Sequence, residues 1–412
     1  MRQRPGRPSD EGRQARSAGL TALRELTPRS AWSSGGNRRH TGCVNAATHR
    51  TDVEYVWPQT LIRPSRDVRL VYLDQAQWIY LAQAATGHPV GGQHVASLEA
   101  LRSFKADGSI LCPLSLTHLM ETSAITSRQR EDLAPLMEEL SDFFCLLPRS
   151  GVMLMELEAV LDEMRPRARG YAPVPLIGKG TTFAVGKTGR FNVYDGDGRM
   201  ITDEVRASFP TGPDEFDRVM AQAYVDLDRA VLRGPKDTAE EAQLTSYGWK
   251  PRLAMTIGDQ RAQQEQEQAA RFSDKMLIPD DPTDYRRDRV RDVVRTRYVA
   301  LELMEAVNDG LAARGLEIED VWSGVEASRR VVDAMPSGDV AVSLLTEYHR
   351  DSTLKWKRNH IFDIDALSVA VPYCDAVVAD GDAIDKLRRS RVAERLGTPI
   401  FPSLADLVAH LS

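Results

Sequence analysis

Apolar residues in this chain keep two rhythms. Short runs rich in Val, Ile and Leu alternate with longer segments in which apolar positions recur every three or four residues. The first run, Val68-Arg69-Leu70-Val71-Tyr72-Leu73-Asp74, predicts a buried strand ending on an acid. Gln75 to Ala85 then has helical spacing through Trp78, Ile79, Leu81 and Ala82, and Gly87 and Pro89 stop it. A helix carrying Val95, Leu98 and Leu101 follows, then a second strand over 109–114. Ser115 is placed to cap a third helix, with Leu116, Leu119 and Met120 on one face and Glu121 one turn in. Residues 143–147 predict a third strand and 153–164 another helix. Strands alternating with helices imply an α/β domain around a parallel sheet. In such sheets the ligand crevice lies outside the carboxyl ends of the strands. Asp74 falls there by position.

From about residue 166 the rhythm changes. Residues 181–185 and 191–194 predict a small antiparallel ribbon around Gly186-Lys187-Thr188-Gly189. A helix over 214–233, a polar Gln/Glu-rich stretch over 260–268, a Pro/Asp-rich loop over 279–285 and a long helix with Val290, Val294, Tyr298, Leu301 and Met304 come next. Strand–helix alternation resumes near Ile361. Pro372 breaks an apolar stretch there, Val377 and Val378 form a strand, 384–396 is a basic helix, and Ser403 caps a terminal helix. The expected organisation is an Arg-rich tail (1–66), the first part of an α/β domain (67–165), a mostly helical insertion (166–344) and the second part of the domain (345–412).

Composition narrows the function classes. The 412 residues exceed one ordinary core, so two or three structural units are expected. A net charge of −6 argues against a generally basic coat for nucleic acid, but allows a local basic groove. The four cysteines (Cys43, Cys112, Cys145, Cys374) form no C-x-x-C pair, which argues against a zinc ribbon and makes a reducing cytoplasm the expected location. No apolar run reaches 18 residues, so no membrane partner is expected. Residues 1–50 hold ten Arg and three acids with few apolar positions, the composition of a disordered tail.

The candidate chemistry lies in acids at strand ends and early in helices: Asp74, Glu121, Asp363 and the Asp380/Asp382 pair. Two carboxylates about 4 Å apart repel by roughly 4 kcal/mol at an effective dielectric near 20. A hard divalent cation offsets this, and can activate water and clamp phosphodiester oxygens. In this order the acids resemble the PIN (PilT N-terminus) nuclease domains over about 68–165 and 345–412. The segment from Lys357 to Asp380, containing Pro372-Tyr373-Cys374-Asp375, is similar to a bacterial PIN-like subgroup. The resemblance implies a three-layer α/β fold with a central parallel sheet, interrupted here by the insertion. It also implies Mg²⁺- or Mn²⁺-dependent cleavage of single-stranded RNA, or of DNA, often with a small antitoxin protein; a homodimer is a further expected partnership. Asp74, Glu121, Asp363 and Asp380 take the catalytic positions, Asp382 is an alternative ligand and Asp375 an outer one. Asp363 is preferred over Asp365 because Leu367 and Ala370 share its helical face. Two departures matter: His360 stands where related sequences often have Asp, and Ala379 where they often have Thr or Ser.

Lys355, Trp356, Lys357 and Arg358 set an aromatic among cations, suited to phosphates and a stacked base. The Arg run over 286–297 reads as the wet face of a helix. Gly186-Lys187-Thr188 lacks the glycine register of a P-loop, and Asp195-Gly196-Asp197-Gly198 reads as a turn. Two other readings stand beside the nuclease. One is a haloacid dehalogenase-type phosphohydrolase with Asp74 as nucleophile, although Gln75-Ala76 follows where that group needs a second Asp. The other is a non-catalytic PIN-like module that binds RNA or protein, favoured by His360 and Ala379.

Overall fold

The computed structural model describes residues 53–58, 61–168, 172–187, 193, 195–273, 284–321 and 324–412. Residues 1–52 of the expected tail, nearly all of the 191–194 strand and most of the 279–285 loop lie outside them. The strands are β1 (Val53–Val56), β2 (Leu61–Pro64), β3 (Arg69–Leu73), β4 (Ile110–Leu111), β5 (Phe144–Leu146), β6 (Val174–Pro175), β7 (Ile177–Lys179), β8 (Ala376–Val378) and β9 (Ile400–Phe401). The helices that shape the site are α1 (Gln75–Ala85), α2 (Leu116–Ala124), α3 (Pro251–Ser273), α4 (Val290–Tyr298), α5 (Gly324–Asp333), α6 (Pro336–Arg350), α7 (Arg358–Tyr373) and α8 (Gly381–Ser390).

The fold is mixed α/β. Its central sheet has the order β4-β3-β8-β9, with every pairing parallel. Leu70, Val71, Tyr72 and Leu73 of β3 and all of β8 are buried, as strands covered on both faces require. Leu114 bridges in parallel to Cys145, which carries the sheet's edge toward β5. The backbone N–H of Asp74 donates to the carbonyl of Val378, so β3 and β8 end side by side. Acids that follow either strand therefore emerge at one edge of the sheet.

Order begins earlier than the apolar pattern suggests. β1 pairs antiparallel with β2, and β2 runs parallel to β6, so the end of the expected tail belongs to a small second sheet. Arg63 of β2 is held by Asp375 through two hydrogen bonds of 3.1 and 2.6 Å. Residues 181–185 do not form a ribbon strand: Thr181–Ala184 is a helical turn after β7, which pairs instead with β5. Thr181 is drawn into that turn by Asp228, which accepts from its backbone N–H and its hydroxyl, both at 2.7 Å. The polar 260–268 stretch lies within α3. Pro372 does not break its helix but sits in the last turn of α7. The basic 384–396 helix is broken at Arg391, whose φ of 57° turns the chain between α8 and Val392–Leu396.

α6 is the hub. Every residue from Ser337 to His349 is buried, and α4, α5, α7 and α8 pack around it. The expected boundary at 344/345 falls inside this helix. Buried apolar side chains from Leu61 to Leu411 make one continuous core, so the described part of 166–344 shares its interior with the sheet.

Candidate metal-binding acid cleft

Four segments deliver the acids. Asp74 directly follows β3, and Asp380 lies two residues beyond the end of β8. Glu121 sits on α2, whose start is fixed by a reciprocal cap between Ser115 and His118. Asp363 lies in the second turn of α7, which packs against α2 and α6. Asp74, Glu121 and Asp363 are half-buried, while Asp380 and Asp382 are exposed at the mouth. Asp380 also caps α8, accepting from the backbone N–H of Ala383 at 2.8 Å.

The electrostatics show that these acids share a site. Burial raises the Asp74 carboxyl to about 6, and the charge of Asp380 adds to the shift. Glu121 is raised to about 8, by burial first and then by Asp74 and Asp380, with Arg358 pulling it down. Asp363 is held far above the carboxylate range by burial, then by Asp74, Asp380, Glu121 and Asp382. Every charge acting on Asp363 in this set is negative. At neutral pH Glu121 is therefore mostly protonated unless a cation enters, and Asp363 is shifted in the same direction. The donor set is all oxygen, the chemistry that Mg²⁺ and Mn²⁺ prefer. Among the described residues, no three Asp, Glu, His or Cys side chains are drawn closely enough to form a ready-made ligand shell. The acids thus act on one another's charge without closing on a single point.

Other predicted residues separate by role. Asp365 points away from the cleft: Arg261 reaches it at 2.6 Å and Arg149 at 3.0 Å, and both lower its carboxyl. Asp375 is not an outer ligand. It lies at the opposite end of β8 from Asp380, taken up by Arg63 and by the backbone N–H of Leu70 at 2.7 Å. His360 is a cap and packing residue; its Nδ1 accepts from the backbone N–H of Lys357 at 3.2 Å, and its ring lies against Tyr348 and Trp356. Trp356 is corrected most. Only 8% exposed, it packs against Tyr348, His349 and His360, leaving no free face for a base. Lys355 and Lys357 are exposed, while Arg358 pairs with Asp259 at 2.8 Å and still reaches Glu121 electrostatically.

Two residues at the cleft were not singled out for it from sequence. Tyr348 of α6 is fully buried, and its hydroxyl has no hydrogen-bond partner. Burial and then the charges of Asp363, Asp382, Asp380 and Asp74 push this phenol up, so it stays a neutral donor beside the acids. Lys386 is buried, with its Nζ 3.5 Å from Asp382 and 5.4 Å from the centre of the Tyr348 ring. The four-residue spacing of Asp382 and Lys386 was a signal for that pair. Nothing local marked Tyr348, because its direction is set by packing around α6.

Comparison with protein-family models, curated proteins and solved structures gave no match for this chain. Among the described residues, no helix is long and apolar enough to cross a membrane.

Proposed function

We propose that the chain is a PIN-like, metal-dependent nuclease that hydrolyses phosphodiester bonds of single-stranded RNA, or of DNA, at the cleft of Asp74, Glu121, Asp363 and Asp380. The observation that carries this reading is the gathering of these acids from separate segments, with the carboxyl groups of Asp74, Glu121 and Asp363 raised by burial and by one another. Ionising carboxyls held in such a cluster carries a cost that a bound cation removes. Those four residues, with Asp382 at the mouth, would hold Mg²⁺ or Mn²⁺. Bound there, the ion supplies an activated water and neutralises charge on the phosphoryl oxygens. The carboxylates would orient water, and the Tyr348 hydroxyl is a donor without a partner beside the acids. Lys386 restrains Asp382, and Arg358 together with exposed Lys355 and Lys357 attracts the substrate's phosphates. A small antitoxin-like protein and a second copy of the chain are partners of the same proposal.

The test is cleavage of mixed-sequence labelled RNA and DNA strands with Mn²⁺ or Mg²⁺. Wild type should cut, EDTA should stop it, and Asp74→Asn should reduce cutting to background while melting like wild type. Undiminished cutting by Asp74→Asn would remove the cleft from the reaction.

A further inference from the structure

A second concave site lies at the far end of α8 from the acids. Arg291 and Arg295 of α4, Arg350 of α6, Arg389 of α8 and Arg395 of Val392–Leu396 line a groove of about 530 Å³. Its acidic lining is Asp333, Asp339 and Glu347, so the guanidiniums are in excess by two in a chain whose net charge is −6. The expected wet face of the 286–297 run is therefore turned partly inward. Arg295 is only 4% exposed, and its Nε–H has no hydrogen-bond partner. Asp339 is shared between Arg291 at 2.5 Å and Arg395 at 2.6 Å, which fixes both side chains along the wall. Arg389 is 62% exposed and held only by a surface pair with Asp385 at 3.3 Å; Arg350, about half exposed, pairs with Glu347. The Arg389–Asp385 pair, exposed on both sides, is weak and exchanges readily for a phosphate, while Glu347 beside Arg350 is only 6% exposed.

The groove and the acids lie at opposite ends of α8. Asp382, Lys386 and Arg389 follow at spacings of four and three on α8, so their side chains neighbour one another. Asp382 and Arg389 are seven residues apart, about 10 Å along the axis. α6 lies between the two, with Tyr348 toward the acids and Thr346, Glu347 and Arg350 in the groove. The lining contains no aromatic side chain on which a base could stack. We infer that this groove binds the phosphodiester backbone of a single-stranded nucleic acid, without reading its bases. The inference rests on the nuclease reading for the direction of the strand toward the acids; the anion itself is argued from the groove.

The test is binding of a fluorescein-labelled single-stranded RNA 12-mer in EDTA, where neither metal nor cleavage takes part. Arg350→Glu/Arg389→Glu should weaken binding at least tenfold at 100 mM salt. It should also flatten the log–log salt dependence by about 1.4, the value for two lost phosphate contacts on a single strand. Arg389→Glu alone, at the most exposed of these positions, should lose part of the same affinity and guards against misfolding of the double variant. Wild-type affinity in both groove variants overturns the proposal. So does failure of the wild-type protein to bind the strand while it takes up inorganic pyrophosphate, which would assign the groove to a small phosphorylated ligand. If wild type fails to cut with Mn²⁺ yet the groove variants still lose binding, the nuclease reading falls and the groove stands.

Discussion

A tryptophan set between lysines reads as a stacking platform only while its ring faces solvent. Trp356 instead fills the space between α6 and the start of α7, against Tyr348, His349 and His360, and its indole N–H is buried without a partner. The local sequence could not show this, because the rings that cover it lie on α6 and α7. Trp356→Ala should therefore destabilise the protein by about 3–5 kcal/mol, as large-to-small core changes do, read as a lower urea midpoint with an unchanged slope. A residue that only stacked a base would lose RNA affinity and leave the midpoint alone. The acids fared differently. Asp74 and Asp380 were legible because a strand end fixes where its next residues emerge. Asp363 was separable from Asp365 because one helical face is apolar. Asp375 was misplaced although it precedes Val377 and Val378 and so falls at the amino end of their strand, away from the crevice.

Among the elements, long segments with steady spacing were readable and short ones were not. β3, α1 and α2 lie where the apolar rhythm places them, whereas Thr181–Ala184 has β-branched residues but is held as a helical turn by Asp228. α3 was read as a polar stretch, since its 260–268 residues carry Gln and Glu where an amphipathic helix would show apolar ones. Those polar residues do specific work: Arg261 binds Asp365 and Glu302, Glu265 binds His349 at 2.8 Å, and Gln266 accepts from the backbone N–H of Trp356 at 2.9 Å. α3 is thereby fixed to α7 by charge as much as by apolar contact. Asp365→Ala would strand Arg261 and Arg149, the latter 10% exposed with Glu302 at 2.5 Å as its remaining carboxylate. The expected loss is about 2–3 kcal/mol, below the range for breaking a fully buried pair because Asp365 keeps some contact with solvent. Denaturant unfolding measures it, and a change under about 0.5 kcal/mol, the size of an ordinary surface substitution, would mean that the network does not hold the two helices together.

For the whole molecule, the parallel sheet could be read from alternation alone. The continuity of its core with 166–344 could not, because contacts between distant segments leave no local trace. The same long-range folding concentrates the acids, and its signature should appear in how stability depends on pH and metal together. Burial and mutual repulsion place Glu121 near 8 and Asp74 near 6, above the usual 4.5 and 3.8. The folded, metal-free chain therefore keeps protons that the unfolded chain has already released. The stability these groups contribute is fully present below about pH 4 and is lost as pH rises through about 8. A divalent ion needs the deprotonated acids, so at pH 6 it must displace protons that are mostly gone at pH 8, and its affinity gains up to about tenfold per pH unit for each proton displaced. Melting curves with and without Mn²⁺ should thus show a larger stabilisation at pH 8 than at pH 6, and Asp363→Asn should largely remove the metal's effect at both. A shift of the same size at both pH values, or one that survives Asp363→Asn, would place the ion somewhere other than among these acids.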